Sequence, residues 1–192
     1  MEQLKEFKQR LAEERPADWD ALPDLALYMD QIISYMPRQL IHYDEGVNLT
    51  SAMVNNYIKD GLLPRTEGKK YGQTHLAYLT AICALKQVLS VKEMKVLVEQ
   101  GAEGKEPQQI YDYFCSELDT ALKETAQRLD EETRQEDLAR MAFGFALRSY
   151  SEKLACQRIL ALLSEQDETV DEKKQSKNKK EDKKDKKEDK KD

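Results

Sequence analysis

The tetrapeptide Gly-Leu-Leu-Pro at residues 61–64 separates two stretches of helical periodicity, and it constrains the fold more than any other feature. Glycine adopts the left-handed conformation that ends many helices, and proline prevents an immediate return to helix. Before this break, apolar residues recur every three or four positions, which is the period of an amphipathic helix. They are Met53, Val54, Tyr57 and Ile58. We therefore predict a short helix that begins at an N-cap, Thr50 or Ser51, and ends at Gly61.

A basic loop follows the proline. Its cationic side chains, which are opposed only by Glu67, are Arg65, Lys69 and Lys70. Glycine at positions 68 and 72 supplies turn flexibility, and Tyr71 is expected to close the loop onto the core. Residues 63–71 are the only place where we expect a pair of short strands, which would form a small wing.

Helical periodicity resumes after the loop and predicts two further helices. From His75 onward, the apolar positions are Leu76, Leu79, Ile82, Cys83, Leu85 and Leu89. Ser90 and Glu93 then have the spacing of a capping box, in which two side chains satisfy otherwise unpaired amides at a helix start. A third helix is therefore predicted to begin there and to continue to about residue 98.

This succession resembles the winged helix-turn-helix domain of MerR-type transcription regulators. Such domains carry a tyrosine, Gly-Leu-Leu, a basic wing ending in tyrosine, a Leu-x-x-Ile helix and a Ser-Leu-Glu-Glu-Ile-Lys-like start. The matching positions here are Tyr57, Gly61-Leu62-Leu63, Arg65, Lys69-Lys70-Tyr71, Leu79-x-x-Ile82 and Ser90-Val91-Lys92-Glu93-Met94-Lys95. The run LT-x-x-M-V-NNY-x-K at residues 49–59 is similar to a bacterial family of uncharacterised proteins, domain-of-unknown-function family 1836. Members of that family are described as MerR-like.

The resemblance implies a sequence-specific regulator of transcription that binds double-stranded DNA. The residues that it implies at the DNA are Ser51, Asn55, Asn56, Lys59, Arg65, Lys69 and Lys70. Asparagine side chains can pair bidentately with adenine edges, and basic residues of a wing can contact phosphates. The same residues can equally be solvated polar positions of an ordinary helix and loop, and both interpretations stay open here.

The charge distribution favours an alternative, an adaptor that uses the winged-helix fold to bind a protein partner without DNA contact. Residues 171–192 hold 11 lysines and 8 acids, a net +3, so the other 170 residues hold 20 basic and 29 acidic residues, a net −9. Counterion-release affinity for DNA needs clustered basic side chains. The recognition helix of MerR-type domains usually carries an arginine where this chain has Asn55. Moreover, the best candidate for the preceding helix, residues 25–36, is separated from Thr50 by a longer connection than a helix-turn-helix normally has.

The C-terminal half is predicted to be a helical hairpin after a break at residues 101–104. Pro107 suits the first turn of its first helix, and an acidic turn at residues 130–137 leads to the second. The first helix has an apolar stripe formed by Ile110, Phe114, Leu118, Leu122, Thr125 and Leu129. This stripe is either a homodimer seam, as in MerR-type regulators, or an intramolecular core with the second helix. Both alternatives are consistent with the spacing.

The chain therefore divides into four expected segments. Residues 1–24 form an N-terminal helix and a packed strap, 25–100 the winged-helix domain, 101–165 the hairpin, and 166–192 a charged tail. The tail cannot bury enough apolar surface to offset its ordering entropy, and we expect it to be disordered. The predicted fold class is all-α with a small β wing.

No residue pattern indicates catalysis, a metal site or a cofactor. The two histidines, His42 and His75, lack partners at metal-binding spacing, and three scattered cysteines are expected to be buried and reduced. Phosphate loops, dinucleotide-binding glycines and nucleophile elbows are not found. A charged N-terminus without signal-peptide character, and the lack of a long apolar run, predict a cytoplasmic protein with no membrane partner.

Overall fold

The computed structural model describes residues 2–41 and 49–188, with side chains described through residue 165. The described backbone is mostly helical, which confirms the all-α part of the predicted fold class. The helices are α1 (Glu2–Glu13), α2 (Met29–Tyr35), α3 (Ser51–Lys59), α4 (Gln73–Leu85), α5 (Val91–Ala102), α6 (Pro107–Arg128) and α7 (Leu138–Glu188). Short 3-10 turns lie at Trp19–Ala21, Met36–Arg38 and Gln135–Asp137. The chain divides into two units, Met1–Arg148 and Ser149–Asp192.

Local interactions set both ends of α3 as the sequence predicts. The Thr50 hydroxyl oxygen accepts a hydrogen bond from the amide of Met53 at 3.2 Å, so Thr50 is the N-cap. Gly61 has a φ of 77°, the left-handed conformation expected after a helix end. The amides of Leu62 and Leu63 then both donate to the carbonyl of Tyr57, and both leucine side chains are buried. The chain therefore turns inward immediately after α3.

Helix α4 lies at the centre of the core. Leu76, Leu79 and Ile82 are at most 1% exposed, and the hydroxyl of buried Thr80 donates to the carbonyl of Leu76 at 2.9 Å. Helix α4 contacts α6 and the 3-10 turn at Met36–Arg38. The core cluster expected from the sequence is confirmed: its members are Tyr57, Leu62, Tyr71, Leu79 and Ile82, all buried.

The basic loop is a tight turn, whereas the sequence suggested a wing of two short strands. A single bridge joins Glu67 to Lys70 around Gly68, whose φ is 70°. Tyr71 instead pairs with Leu27, and the two residues exchange backbone hydrogen bonds of 2.8 and 2.9 Å. Isolated bridges of this kind are the only strand-like pairing that we find in the described ranges. Pro64 lacks an amide hydrogen and cannot donate to a ladder, which opposes a longer pairing.

The same pairing corrects the helix expected at residues 25–36. Because Leu27 is extended and bonded to Tyr71, α2 begins only at Met29. The Gln31 side chain accepts the amide hydrogen bond of Tyr28 at 2.8 Å, which fixes this later start. Within the strap expected in residues 1–24, Leu22 is buried, whereas Leu25, the first residue of the expected helix, is 74% exposed.

Helix α6 packs against α1, α4 and α5. Arg15, just after α1, donates to the Asp119 carboxylate at 2.6 Å, and the Tyr111 hydroxyl donates to the carbonyl of Ala17 at 2.8 Å. The stripe of α6 thus has partners within the chain, but they are α1, α4 and α5 and not the second helix of the hairpin, which was the intramolecular partner expected from the sequence. The helix break near residue 101 is confirmed, since α5 ends at Ala102. Independent folding on either side of that break stays a prediction.

The C-terminal segment was expected to be disordered, but its described backbone is helical. Helix α7 continues to Glu188, and residues 189–192 lie outside the described residues. Lysine and glutamate have favourable helix propensities, so a helical backbone is compatible with this composition without tertiary burial.

Replacing a core side chain of α4 should test its register. We expect Leu79→Ala to lower the free energy of unfolding by about 2–5 kcal/mol, because it leaves a cavity where the side chain is fully buried. The matched control, Leu25→Ala on an exposed leucine, should change it by less than about 0.5 kcal/mol. Urea unfolding followed by circular dichroism measures both. Equal effects of the two variants would contradict the packing described here.

Candidate nucleic-acid interface

The exposed face of α3 carries the polar residues expected at DNA. Ser51, Asn55 and Lys59 are spaced by four residues and share one face, with Asn56 beside them. All four are exposed, while Val54 on the other side is fully buried. Burial of the apolar face therefore fixes which side of α3 meets solvent. This face offers amide donors and acceptors together with one ammonium group.

The loop between α3 and α4 presents the other expected residues. Arg65, Lys69 and Lys70 are all exposed. The turn that carries them is held by the Glu67–Lys70 bridge and by the Thr66 hydroxyl, which donates to the carbonyl of Gly68 at 3.2 Å. The loop is thus anchored at both ends, at Leu63 in the core and at Tyr71 on Leu27.

Tyr28 is a neighbour of this loop that the sequence did not single out. The ammonium of Lys70 lies 5.4 Å from the centroid of the Tyr28 ring, a distance at which a cation is attracted to the π face. The Tyr28 side chain is 51% exposed. Only the extended segment that pairs with Tyr71 brings it here, so no local signal in the sequence could have identified it.

The cations of this region are free of ion pairs within the described ranges. Lys59, Arg65, Lys69 and Lys70 have no carboxylate within 4.0 Å there. The two nearby acids in sequence, Asp60 and Glu67, leave residues 55–73 with a net charge of +2. The described hydrogen bonds do not join the α3 face directly to the loop side chains. The structure therefore presents two separate groups of exposed polar side chains, one on helix α3 and one on the basic loop.

His75 is buried further than its position in the first turn of α4 suggested. The imidazole is half-buried, with its ring edge-on to Tyr71 at 5.5 Å between centroids. Its Nδ1 accepts the amide hydrogen bond of Gly72 at 3.2 Å, and Nε2 is buried without a hydrogen bond. Desolvation lowers the pKa of His75, while backbone groups of Arg65, Pro64 and Gly72 act in the opposite direction. The residue therefore links the end of the basic loop to α4.

The remaining candidates for chemistry do not assemble into a site. All three cysteines are free: Cys83 is buried, and Cys115 and Cys156 are half-buried. Burial raises the pKa of the Cys83 and Cys115 thiols, which favours their neutral form. Among the described residues, no three or more His, Cys, Asp or Glu side chains come together to hold a metal. His42 lies outside the described residues.

The buried imidazole predicts a pH-dependent stability. The folded protein holds a proton on His75 less tightly than the unfolded chain, whose pKa is near 6.5. The stabilisation by neutral His75 is therefore present above that pKa and is lost as the pH falls below it. His75→Asn retains an acceptor for the Gly72 amide but does not titrate. Between about pH 7.5 and 5.5, urea unfolding of the wild type should lose more stability than the variant, by up to about 1.4 kcal/mol per pH unit. Identical pH profiles would show that His75 titrates equally in both states.

Comparison with known proteins gives a family and no characterised relative. Residues 17–114 match the model of the family described as Domain of unknown function (DUF1836). The match includes α2 to α5, the start of α6 and every residue of the candidate interface. No curated protein and no solved structure matches the chain. Among the described helices, none combines the length and apolar character needed to cross a membrane. Because the match spans half of the sequence, the chain belongs to the DUF1836 family.

Proposed function

We propose that this protein is a regulator of transcription that binds double-stranded DNA through a MerR-like winged helix-turn-helix. The observation that carries the proposal is the exposed face of α3, where Asn55, Asn56 and Lys59 stand opposite the buried side chains of Val54 and Tyr57. A helix with one polar, exposed face and one apolar, buried face can lie in a major groove while its apolar face packs on the core. Asn55 and Asn56 would read base edges, and Lys59 would contact phosphate.

The arrangement of α2 and α3 supports this proposal. The two helices contact each other, and the recognition helix of a helix-turn-helix is likewise the second of a packed pair. Ser51 opens α3, where unpaired amides and the helix dipole favour a phosphate oxygen. Ser51 is exposed and could donate its hydroxyl hydrogen to the same phosphate. The N-terminal turn of α3 would therefore set the position of the helix on the duplex.

The loop would supply the electrostatic part of binding. Arg65, Lys69 and Lys70 are exposed and free of ion pairs among the described residues, so they would approach phosphates without first breaking a salt bridge. With Lys59, they make four cations per chain. Neutralising four phosphates corresponds to a slope of about −3 to −4 in a plot of log affinity against log salt concentration. Since residues 1–170 carry a net −9, affinity elsewhere on the protein surface would be weak.

We further propose that the protein is a cytoplasmic homodimer without catalytic activity of its own. The stripe of α6 packs within the chain, but α7 leaves other large apolar side chains exposed. In the second unit they are Tyr150, Leu154, Ile159 and Leu162. Several large apolar side chains exposed along one helix are typical of protein interfaces. A second copy of the chain would cover them, and a dimer would carry two α3 helices for a symmetric DNA site.

A second candidate function is the adaptor that binds a protein without DNA contact. Leu25 is 74% exposed and Tyr28 is 51% exposed, and Tyr28 lies directly beside Lys70 of the loop. Aromatic residues are enriched at protein interfaces relative to the rest of the surface. This candidate shares the loop with the DNA proposal, so one set of variants can separate the two functions.

A triple substitution of the loop should weaken DNA binding for all sequences. Arg65→Ala, Lys69→Ala and Lys70→Ala together remove three of the four cations, so the salt dependence should also become flatter by about three in slope. Helix content and melting temperature should stay close to wild type, because all three side chains are exposed. Fluorescence anisotropy with genomic fragments at several salt concentrations measures both effects.

Two matched variants make this experiment specific. Lys5→Ala, Lys92→Ala and Lys153→Ala remove the same charge from other exposed positions and should leave DNA affinity nearly unchanged. Asn55→Ala with Asn56→Ala should instead reduce discrimination between sequences, since each lost bidentate contact costs about 1–3 kcal/mol of specificity. Equal affinity in the loop and control triple variants would exclude the loop from DNA binding. Loss of a protein partner in Tyr28→Ala, with no DNA binding in the wild type, would favour the adaptor.

Charges on the exposed apolar side chains of α7 should dissociate the proposed dimer. We expect Leu154→Glu with Ile159→Glu to give a monomer, because two carboxylates would have to be buried at the interface. Leu25→Glu is the control on an exposed leucine outside α7, and a chain ending at residue 170 should keep the wild-type state. Multi-angle light scattering at micromolar concentration distinguishes the species. A monomeric wild type would contradict the dimer and would leave single-site binding as the model.

A further inference from the structure

A largely apolar cavity of about 550 Å³ lies between α4, α5 and α6. Helix α4 lines it with Ala81 and Leu85, and α5 with Leu97, Val98 and Gly101. The α6 wall consists of Ile110, Tyr113 and Phe114. No lining residue belongs to α3 or to the basic loop, so the cavity is separate from the candidate DNA interface. Its volume is within the range of sites that bind small molecules.

Two small residues keep this space open. Ala81 on α4 and Gly101 on α5 both face the cavity. A Cβ atom built at Gly101 would meet no atom within 4 Å, and its φ lies outside the left-handed region. Glycine lowers helix stability relative to other residues, and neither the backbone conformation nor the space requires it here. A larger residue at position 101 would therefore be tolerated by the backbone and would occupy the cavity.

The polar residues of the cavity lie at its two ends. Lys105 and Gln109 line the end next to the N-terminus of α6, and Glu117 lies eight residues further along that helix. Eight helical residues correspond to about 12 Å. The ammonium of Lys105 donates to the carbonyl of Gly101 at 2.9 Å, and no carboxylate lies within 4.0 Å of it in the ranges that the structure describes. The positive end of the α6 dipole adds to the attraction for an anion there.

We propose that this cavity binds an amphiphilic monocarboxylate of the medium-chain fatty acid class. The carboxylate would pair with Lys105 and accept from the side-chain amide of Gln109, and the alkyl chain would extend between Leu97, Ile110 and Phe114. The carboxylate of Glu117 repels an anionic head group and so fixes this direction. One face of Tyr113, a residue that is 66% exposed, would cover the chain from solvent. This inference is independent of DNA binding.

Calorimetric titration of the full-length protein with sodium decanoate, below its micelle concentration, tests the proposal. Wild type should bind decanoate more tightly than decanol, which has the same chain without the charge. Lys105→Met keeps the apolar stem and should weaken decanoate binding roughly fivefold, the scale of one solvent-exposed ion pair, with little change for decanol. Gly101→Leu should abolish binding of both ligands, because leucine would fill the space that the chain requires.

Control variants separate loss of the site from loss of the fold. Gly144→Leu introduces the same side chain in α7, at another glycine whose added Cβ meets nothing within 4 Å, and should leave decanoate affinity unchanged. Gly101→Leu should melt at or above the wild-type temperature, since leucine is the better helix former. If it unfolds, Ala81→Met fills the same cavity from α4. No heat of binding in the wild type, or equal affinity in Gly101→Leu and Gly144→Leu, would overturn the proposal.

Discussion

Burial of α4 is the constraint on which the rest of the described structure depends. Leu76, Leu79 and Ile82 are removed from water almost completely, and hydrophobic burial of such side chains is the dominant favourable contribution to folding. Because α4 is surrounded, the segments before and after it have little freedom. The basic loop ends at buried Tyr71, just before the chain enters α4, and α6 packs against α4. The candidate DNA interface and the apolar cavity are both formed by segments that pack around α4 or lead into it.

The pairing of Leu27 with Tyr71 determines which side chains surround the basic loop. Two backbone hydrogen bonds hold an extended segment beside the loop, and this segment places the Tyr28 ring under the Lys70 ammonium. The loop thus gains a second anchor at its C-terminal end. His75 adds a third, through its bond to the Gly72 amide. Loop cations held by such anchors would lose less conformational entropy on meeting a phosphate than those of a free loop.

The proposed DNA surface and the proposed ligand cavity use different properties of the same unit. The α3 face depends on exposed amides and cations, whereas the cavity depends on small residues that leave space between apolar walls. Lys105 contributes a single charge at the end of that space. Since α4 contributes its buried face to the core and Ala81 to the cavity, a ligand there would press against the helix that supports the loop. Coupling between the sites would require a differential affinity for two states of that helix.

The sequence by itself determined the elements whose causes are local. The Thr50 cap, the left-handed Gly61, the Ser90–Glu93 capping box and the start of α6 at Pro107 all follow from side chains within a few residues. The buried cluster around Leu79 follows from the helical period, because a residue's face is set by its position in the helix. The exposure of Asn55 and Lys59 follows from the same period.

The tertiary structure decided what depends on distant partners. Helical periodicity does not reveal that Leu27 is bonded to Tyr71, so it predicts too early a start for α2 and gives no role to Tyr28. The sequence predicts the apolar stripe of α6 but does not identify its partners α1 and α4, because apolar surface packs without preference for a particular helix. The burial of His75 and the open space at Gly101 depend on which helices meet there. Non-directional hydrophobic packing allows many partners for one stripe, and only the complete set of contacts selects among them.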